Sequence, residues 1–351
     1  MRRALDLAWL GWGRVHPNPM VGAVVLAKGA PVAEGFHAEF GGPHAELQAL
    51  AVAGERAHGA TLLSTLEPCN HSGKQPPCTE AILKAGIGRV VAALRDPNPI
   101  AAGGAERLRA AGVEVDLGLM ATEAARQNAA FLHLARHAAR PYVALKLATS
   151  VDFRIADSSG RSRWVSGPQA REYVHWLRAG FDGIGVGLGT AVADDPRLSV
   201  RGAVAIRVPP VRIVFDRRLE LPPHLDLVRS VAQFRTLVVT AAGPPAERVD
   251  SIEKLGLTVL RTRDLDDALR QLRTAGVTAL LVEGGGRLAG DFLDAGLVDR
   301  FYWIQAPVWL GDGGIPAVRG LASAQLEEAA RWQVVERRPL GDDTLLVLDR
   351  T

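Results

Sequence analysis

The stretch of sequence that decides the fold is GGPHAELQALAVAGERAHGATLLSTLEPCNHSGKQPPC, which runs from Gly41 to Cys78. A helix pattern follows Pro43, a β-rich run ATLLST occupies the middle, and a second helix pattern, TEAILKAG, follows Cys78. Helices that flank a strand in this way indicate an α/β sheet with helices on both faces. The same stretch holds both cysteines of the chain, each directly after a proline and both close to a His-x-Glu sequence.

The alternation of strands and helices continues on both sides of this stretch. Upstream, VGAVVLA and PVAEGF predict a hairpin, and downstream RVVAAL and VEVDLG predict strands separated by a helix. The pattern restarts at Pro141, so we expect a boundary near residue 140, with domains of residues 1–140 and 141–351. The second domain closes with FYWIQAPVW, WQVVERR and DTLLVLD, which predict an antiparallel edge on a mainly parallel sheet.

The composition excludes several classes of protein. With 351 residues and a hydrophobic fraction of 48%, the chain can fill two cores, which rules out a disordered or fibrous protein. The 41 basic and 38 acidic residues form no blocks and suit an anionic small molecule at least as well as nucleic acid. Two cysteines make no disulfide framework, so we expect a reducing compartment, the cytoplasm. No run approaches the roughly 20 apolar residues of a membrane span.

Three residues of the opening stretch have the chemistry of zinc ligands. Zinc takes nitrogen and thiolate ligands in a tetrahedron, and a catalytic zinc ion keeps one corner for water. His44, Cys69 and Cys78 therefore predict one catalytic zinc ion per chain, and Glu46 has the position of a group that moves protons between water and a departing amine. This order of residues is typical of zinc nucleobase deaminases, although eight residues separate the cysteines here.

Two interpretations without catalysis compete with this one. A structural zinc site needs a fourth ligand, which His37 or His71 could provide. A lone histidine beside an apolar helix and two cysteines in a cytosolic chain can also be inert core residues. The conjunction of HAE, EPC and PPC in the expected order favours the catalytic site.

Four segments of the N-terminal half, HPNPMVGAVV, EGFHAEFGGPHAE, TLEPCNHSGKQPPC and RDPNPIAAG, carry a family resemblance. They resemble the deaminase half of the bifunctional riboflavin-biosynthesis deaminase/reductase, including its long spacing between cysteines. The resemblance implies a cytidine-deaminase-like three-layer α/β/α domain that deaminates a diaminopyrimidinone carrying a phosphoribosylamino group. It also implies that Asn18 contacts the base and that His71 and Lys74 meet the ribose phosphate. For His71 and Lys74, a solvated loop is the competing interpretation.

The C-terminal half resembles the reductase half of the same family. The segments are PYVALKLATSVD, RSRWVSGPQAREYVHWLRAG, GTAVADDPRLSVR and TALLVEGGGRLAGDFLDAGLVD. The resemblance implies a dihydrofolate-reductase-like α/β domain that uses NADPH to reduce the ribosyl group to ribityl. It implies NADPH contacts at Ala148, Trp164, Thr190, Asp194, Gly285, Gly286, Arg287, Leu288, Ala289, Gly290 and Asp291. It implies substrate contacts at Ser162, Arg178, Leu198, Arg201 and Glu283.

Several of these positions suggest a physical role. Arg178 and Arg201 suit a phosphate clamp, because a guanidinium group binds two oxygens at once, but Arg178 can also be an ordinary exposed helix residue. Lys146 and Asp194 are candidates for orienting the ribose. The chain departs from the family at Phe153, where the family usually has glycine, so we expect either strain there or a changed loop.

Two other functions remain to be weighed against this one. A deaminase acting on tRNA or single-stranded DNA would need a basic face with stacking aromatic residues, yet aromatic residues are only 5% of the chain. A non-enzymatic protein, with a structural zinc module and a degenerate nucleotide-binding domain, is the third hypothesis. The leading hypothesis predicts a small phosphorylated pyrimidine as the partner, with no nucleic acid and no membrane. It leaves a homo-oligomer open.

Overall fold

A computed structural model describes residues 1–72 and 76–350 of the chain. The chain divides into two compact units, Met1–Ala138 and Ala139–Thr351. Lys74, predicted to meet the ribose phosphate, lies outside the described residues. In the part of the chain that the structure describes, no helix combines the length and apolar character required to cross a membrane.

The first unit is built on a five-stranded sheet with the order β2-β1-β3-β4-β5. Strand β1 is antiparallel to β2 and β3, while β3, β4 and β5 are parallel to one another. The strands are β1 (Gly22–Ala27), β2 (Ala30–Phe36), β3 (Thr61–Ser64), β4 (Arg89–Ala92) and β5 (Glu114–Leu117). The helices are α1 (Arg2–Ala8), α2 (Ala45–Ala53), α3 (Cys78–Lys84), α4 (Gly104–Ala110), α5 (Ala121–Gln127) and α6 (Ala129–Arg136).

Helices cover both faces of this sheet. Because side chains alternate along a strand, Val25 of β1 packs into a core with Ala49 of α2, whereas its neighbour Val24 packs with Ala4 and Leu7 of α1. The three-layer α/β/α arrangement predicted for the N-terminal domain is confirmed. The predicted hairpin is also confirmed as β1 and β2.

The second unit contains a nine-stranded sheet with the order β11-β10-β9-β8-β12-β6-β13-β16-β15, and a two-stranded sheet of β14 and β7. The strands are β6 (Tyr142–Thr149), β7 (Arg154–Ala156), β8 (Gly183–Gly187), β9 (Val211–Phe215), β10 (Thr236–Ala241), β11 (Thr258–Thr262), β12 (Ala279–Val282), β13 (Arg300–Gln305), β14 (Ile315–Pro316), β15 (Trp332–Leu340) and β16 (Asp343–Arg350). The helices are α7 (Pro168–Ala179), α8 (Leu188–Asp194), α9 (Asp226–Arg229), α10 (Ala246–Lys254), α11 (Leu265–Thr274) and α12 (Gly286–Asp294).

The nine-stranded sheet has the predicted antiparallel edge. The first seven strands of the sheet, counted from β11 at one edge through β13, are parallel to one another. The last two strands, β16 and β15, pair in antiparallel fashion at the other edge. Both faces are covered, since Ile213 of β9 packs with Leu269 of α11 and the adjacent Val214 packs with Ile252 of α10. Seven parallel strands therefore end at one edge of the sheet, which is where α/β proteins bind ligands.

Candidate active sites

The first candidate site begins at the N-terminus of helix α2. His44 is the N-cap residue, with an extended backbone at φ −70° and ψ 159°, and Glu46 lies in the first helical turn. Cys69 lies in the loop after β3, and Cys78 is the first residue of α3. The start of one helix, the end of a strand and the start of a second helix thus supply the predicted ligands.

The structure brings His44, Cys69 and Cys78 together. Their ligand atoms all lie within 4.8 Å of one another, and they are the metal-binding cluster found among the described residues. Nδ1 of His44 is 3.2 Å from Sγ of Cys78 and 3.4 Å from Sγ of Cys69. One imidazole nitrogen and two sulfurs at this spacing fit a tetrahedral zinc ion with one corner left for water. Neither His37 nor His71, the alternative fourth ligands, belongs to the cluster.

The protonation of the two sulfurs also fits a cation site. A hydrogen bond from the Cys78 thiol, supported by His44, lowers the pKa of Cys69 to about 4. The same hydrogen bond, together with burial, raises the pKa of the Cys78 thiol that donates it. The hydrogen bond with Cys69 in turn raises the pKa of His44. Without a metal, one sulfur therefore holds the negative charge and the other holds the proton, and a bound cation would allow both to be thiolates.

Glu46 lies beside the ligands, where a proton-transfer group is needed. Its Oε2 is 3.7 Å from Sγ of Cys78, and Oε1 accepts a hydrogen bond of 3.1 Å from the hydroxyl of Ser64. The side chain is 3% exposed, and this burial raises the pKa of the carboxyl group. A carboxyl group with a raised pKa holds a proton more readily than an ordinary glutamate, which suits a group that accepts a proton and passes it on.

The site opens into a cavity of about 310 Å³. The predicted substrate residues Asn18 and His71 line this cavity, together with His44, Glu46 and Cys69. Four further polar residues of the lining, His37, Glu67, Asp96 and Asn98, were not predicted to contact the substrate. Asp96 and Asn98 belong to the sequence DPNP, in which an asparagine can make an Asx turn. Asn98 does make that turn, because its Oδ1 accepts a hydrogen bond of 3.1 Å from the N–H of Ile100.

His37 fixes the orientation of the Asn18 amide. Nδ1 of His37 lies 3.1 Å from the carbonyl oxygen of Pro43, which can only accept, so Nδ1 carries the proton. Burial lowers the pKa of His37, and the neutral ring then has a bare Nε2. This Nε2 accepts a hydrogen bond of 3.2 Å from Nδ2 of Asn18. The Asn18 oxygen is consequently left as the acceptor of the amide.

The second candidate site is a cavity of about 740 Å³ at the carboxyl ends of the parallel strands. Its wall includes Gly187 at the end of β8, Phe215 at the end of β9 and Ala241 at the end of β10. Of the predicted cofactor and substrate residues, eight line it: Ser162, Thr190, Asp194, Gly285, Gly286, Arg287, Leu288 and Asp291. The hydroxyl of Ser162 donates a hydrogen bond of 2.8 Å to Oδ1 of Asp194, which holds these two residues together.

Four of the residues predicted to contact NADPH are not among those that line this cavity. Ala289 and Gly290 are buried in α12, and Gly290 packs against the carbonyl oxygen of Arg319, leaving no space for a Cβ atom. Trp164 is 69% exposed and lies 4.6 Å from the Arg171 guanidinium group. The fourth, Ala148, is part of β6 and pairs with Ile304.

The predicted substrate residues Arg178 and Glu283 form a buried ion pair. Nε of Arg178 is 2.5 Å from Oε1 of Glu283, Nη2 is 3.0 Å from Oε2, and Nη1 donates to the carbonyl oxygen of Ser199 at 3.1 Å. The alternative of an exposed helix residue is wrong, since the Arg178 side chain is 13% exposed. Burial alone would raise the pKa of Glu283, but Arg178 and Lys146 hold it below its usual value. Burial lowers the pKa of Lys146, although the negative charge of Glu283 acts in the opposite direction.

The remaining predicted substrate residues lie close to this pair along the chain or in space. Arg201 is exposed. Burial lowers the pKa of His175 on α7, and the positive charges of Arg178 and Arg201 lower it further. Leu198 is buried, with a positive φ of 50°. Arg201 is thus an exposed guanidinium group near Arg178, whose own three nitrogen atoms already have partners within the protein.

Phe153 adopts the strained conformation that we considered for it. Its φ is 60°, in the left-handed region that a bulky side chain rarely enters. Its ring packs edge-on against Trp303 with a centroid distance of 5.3 Å, and its carbonyl oxygen accepts a hydrogen bond from Ala317. The loop has therefore kept a conformation suited to glycine, and packing around the ring helps to stabilise it.

Comparisons with known proteins agree with both sites. The family described as cytidine and deoxycytidylate deaminase zinc-binding region matches residues 1–94, and the family described as RibD C-terminal domain matches residues 141–346. The riboflavin biosynthesis protein RibD of Aquifex aeolicus is 39% identical over 100% of this chain and 97% of its own length. RibD of Escherichia coli is 39% identical over 99% of this chain and 98% of its own.

Solved structures show the same relationship. Acinetobacter baumannii RibD superimposes with a TM-score of 0.85 at 35% identity, covering 100% of this chain and 97% of that one. A diaminohydroxyphosphoribosylaminopyrimidine deaminase/5-amino-6-(5-phosphoribosylamino)uracil reductase from Thermotoga maritima gives 0.86 at 34% identity, with the same coverage.

The fold, the ligand cluster and the strand-end cavity together define a zinc-binding deaminase joined to a nicotinamide-dependent reductase. The chain belongs to the RibD family and is a bifunctional deaminase and reductase of riboflavin biosynthesis. The similarity extends over the full length, so neither a nucleic-acid deaminase nor a non-enzymatic zinc module is favoured.

Proposed function

We propose that residues 1–140 deaminate 2,5-diamino-6-(5-phosphoribosylamino)pyrimidin-4-one and that residues 141–351 then reduce its ribosyl group to ribityl with NADPH. The Thermotoga maritima relative supports these substrates, because it is a diaminohydroxyphosphoribosylaminopyrimidine deaminase and 5-amino-6-(5-phosphoribosylamino)uracil reductase and is similar over the whole chain. The observation that carries the proposal is the cluster of His44, Cys69 and Cys78 with Glu46 beside it.

The deamination uses the residues of the first site in separate roles. His44, Cys69 and Cys78 would hold the zinc ion, which supplies an activated water at neutral pH when bound. Glu46 would accept a proton on its carboxylate and deliver it to the nitrogen that leaves. The 3% exposure of Glu46 keeps bulk water from competing for that proton.

The substrate is held by the polar lining of the first cavity. Asn18 presents its oxygen to an N–H of the base, since His37 takes the other end of the amide. His71 and Lys74 bind the ribose phosphate. This assignment for His71 is supported by its position in the cavity wall and by its Nδ1, which is buried and has no hydrogen-bond partner among the described atoms.

The reduction uses the strand-end cavity for the cofactor and the neighbouring charged residues for the substrate. The cofactor is bound by residues that line this cavity: Thr190, Asp194, Gly285, Gly286, Arg287, Leu288 and Asp291. Contacts at Ala148, Trp164, Ala289 and Gly290 stay predictions of the family resemblance. Ser162, Lys146, Arg178, Leu198, Arg201 and Glu283 bind the sugar phosphate. The nicotinamide supplies the hydride, and Arg201 offers the exposed guanidinium group for the phosphate.

A group of arginines supports NADPH as the cofactor. A further cavity, of about 670 Å³, is lined by Arg217, Arg218 and Arg287. It shares Arg217 and Arg287 with the strand-end cavity of about 740 Å³. The carboxylate of Asp216, also in this wall, is occupied by the N–H groups of Arg218, Glu220 and Leu221. Glu220 also lines this cavity and lies 3.7 Å from Nη1 of Arg248. The three arginines still outnumber the two carboxylates of the wall, and this excess of positive charge suits a phosphate dianion at the 2′ position. We expect the double variant R217S/R218S to raise the KM for NADPH and leave that for NADH unchanged; equal effects on both would contradict this role.

Mass spectrometry of the products tests the two reactions together. With zinc alone, the protein should replace one amine of the substrate by oxygen, and with NADPH added the product should gain two hydrogens. Glu46→Gln should prevent the first change while it leaves zinc bound and leaves the reduction of deaminated substrate intact. Loss of amine at the normal rate in this variant would show that Glu46 is not the proton-transfer group.

The thiols of the metal site need reducing surroundings, and we accordingly place the enzyme in the cytoplasm. The absence of nucleic acid as a partner stays a prediction, and the sequence leaves a homo-oligomer open. Salt-dependent RNA binding and sedimentation of the purified protein would test them.

A further inference from the structure

The loop between β4 and α4 forms one wall of the deaminase cavity. Asp96, Asn98 and Ala101 of this loop line the cavity together with His44 and Cys69. Two local hydrogen bonds shape the turn, from the N–H of Asn98 to Oδ1 of Asp96 at 2.9 Å and from Ile100 to Asn98. These bonds fix the loop internally, but they do not determine its distance from the loop that carries Cys69.

Glu67 supplies that connection with its side chain. Oε2 of Glu67 accepts a hydrogen bond of 3.1 Å from the N–H of Asp96, and Oε1 accepts one of 2.8 Å from the N–H of Ala105. Asp96 lies in the loop after β4, and Ala105 lies in the first turn of α4. The side chain is 3% exposed, so water cannot replace either bond cheaply.

The backbone around Glu67 reinforces the same contact. The N–H of Glu67 donates to the carbonyl oxygen of Leu94 at 2.8 Å, and the N–H of Asn70 donates to that of Ala101 at 3.0 Å. Gly104 lies against the carbonyl oxygen of Pro68, where a Cβ atom would have no room. The segment 67–70, which includes the predicted ligand Cys69, is thereby fastened to both ends of the cavity wall.

We propose that Glu67 is a positioning residue of the deaminase reaction, which sets the cavity wall containing Asp96 and Asn98 at a fixed distance from the metal ligands. Glu67 itself also lines the cavity, but both of its carboxylate oxygens are bound by backbone N–H groups, so it acts on the substrate through the loop. The inference rests on the deamination proposed above at the cluster of His44, Cys69 and Cys78. If the wall moves, a smaller fraction of the protein is ready to bind the base, and KM rises while the chemical step is retained.

The test compares Glu67→Gln with Glu106→Gln. Glutamine has the same shape as glutamate, but its NH₂ group cannot accept from a backbone N–H, so one of the two bonds is lost and two donors face each other. Glu106 is the matched control, because it joins α4 to Arg95 of the same loop by an exposed ion pair of 2.9 Å. For Glu67→Gln we expect the KM of the diaminopyrimidinone substrate to rise about 10- to 100-fold, with kcat and bound zinc near the normal values. Glu106→Gln should change neither constant.

A second measurement separates positioning from a general loss of structure. Amide hydrogen exchange over residues 96–105 should accelerate in Glu67→Gln and stay unchanged in Glu106→Gln, while reduction of deaminated substrate is normal in both. An unchanged KM in Glu67→Gln, or a fall in kcat alone, would overturn the inference. If Glu67→Gln loses zinc, the test passes to Glu67→Asp, because the shorter carboxylate cannot reach both N–H donors. A raised KM in Glu67→Asp supports the inference, and a normal KM overturns it.

The outcome for Glu67 can be distinguished from that for the proposed function. If deamination does not occur at this cluster, Glu46→Gln retains normal activity whatever Glu67→Gln does. If only the positioning role is wrong, Glu46→Gln is inactive and Glu67→Gln has a normal KM.

Discussion

Replacing Glu283 by glutamine should destabilise the second unit strongly, because it removes one charge of a buried ion pair. The Arg178 and Glu283 side chains are only 13% and 11% exposed, and they form two nearly parallel bonds of 2.5 and 3.0 Å. Glutamine would keep one acceptor for Arg178 but would present an NH₂ group to the second nitrogen. Arg178 and the neighbouring Lys146 would then lose their counter-ion.

The expected cost follows from this geometry. Removing one partner of a buried and fully hydrogen-bonded pair costs about 3–5 kcal/mol of unfolding free energy, since the other charge remains in a poorly solvated site. In a unit of about 200 residues each kcal/mol lowers Tm by about 2–4 °C, so the change should reach about 6–20 °C. The double variant R178M/E283Q leaves neither charge, and we expect it to be less destabilised than the sum of the two single variants by about 2 kcal/mol or more.

Calorimetry of the full-length, zinc-loaded protein measures these differences. Asp266→Asn is a suitable control, because Asp266 pairs with Arg270 on the exposed side of α11 and its loss should cost about 1 kcal/mol or less. The reasoning is refuted if Glu283→Gln costs no more than this control, or if the two single variants add up to the double variant. Either result would show that the pair contributes nothing beyond two independent polar side chains.

Three further predictions concern other parts of the chain. After removal of zinc, iodoacetamide at pH 6 should modify Cys69 before Cys78, because a pKa of about 4 keeps Cys69 a thiolate at that pH; peptide mass mapping that finds equal modification would contradict this. In urea unfolding, Phe153→Gly should be about 1 kcal/mol more stable than Phe153→Ala, since both lack the ring and only alanine is strained at a φ of 60°; equal stability would remove the argument for strain. Burial lowers the pKa of Lys146 in the folded state, so the unfolded chain binds more protons between that pKa and about 10.4. Unfolding free energy should therefore rise more from pH 8 to 10 in the normal protein than in Lys146→Met.

The metal cluster could be predicted from sequence because its information is local. His44 and Glu46 lie in one helical turn, and each cysteine directly follows a proline at a break in the secondary structure. Zinc chemistry then restricts which residues can be ligands. The wall of the cavity could not be predicted, because Asp96 reaches it through a hydrogen bond to Glu67, and no local pattern encodes that contact.

The glycines of the second unit show a different limit of sequence reasoning. Three consecutive glycines follow β12, and such a junction between a strand and a helix can let a phosphate approach the backbone amides. In the structure Gly286 lies against the carbonyl oxygen of Pro316 and Gly290 against that of Arg319, so packing of α12 accounts for both. Gly285 lies in the cavity wall, where a Cβ atom would come within 3.0 Å of the Thr190 hydroxyl oxygen. A glycine-rich pattern cannot distinguish a helix that needs space from a ligand that needs it.

Glu46 and Glu283 show how one residue type is adapted to two reactions. Both carboxyl groups are largely buried, and burial raises the pKa of each. Around Glu46 the direct partners are the hydroxyl of Ser64 and the sulfur of Cys78, so the raised pKa persists and the group can carry a proton. Around Glu283 the charges of Arg178 and Lys146 outweigh burial, so the group stays ionised. These neighbours support the proton transfer proposed for Glu46, and they support the proposal that Glu283 is a fixed negative charge among the cations that bind the sugar phosphate.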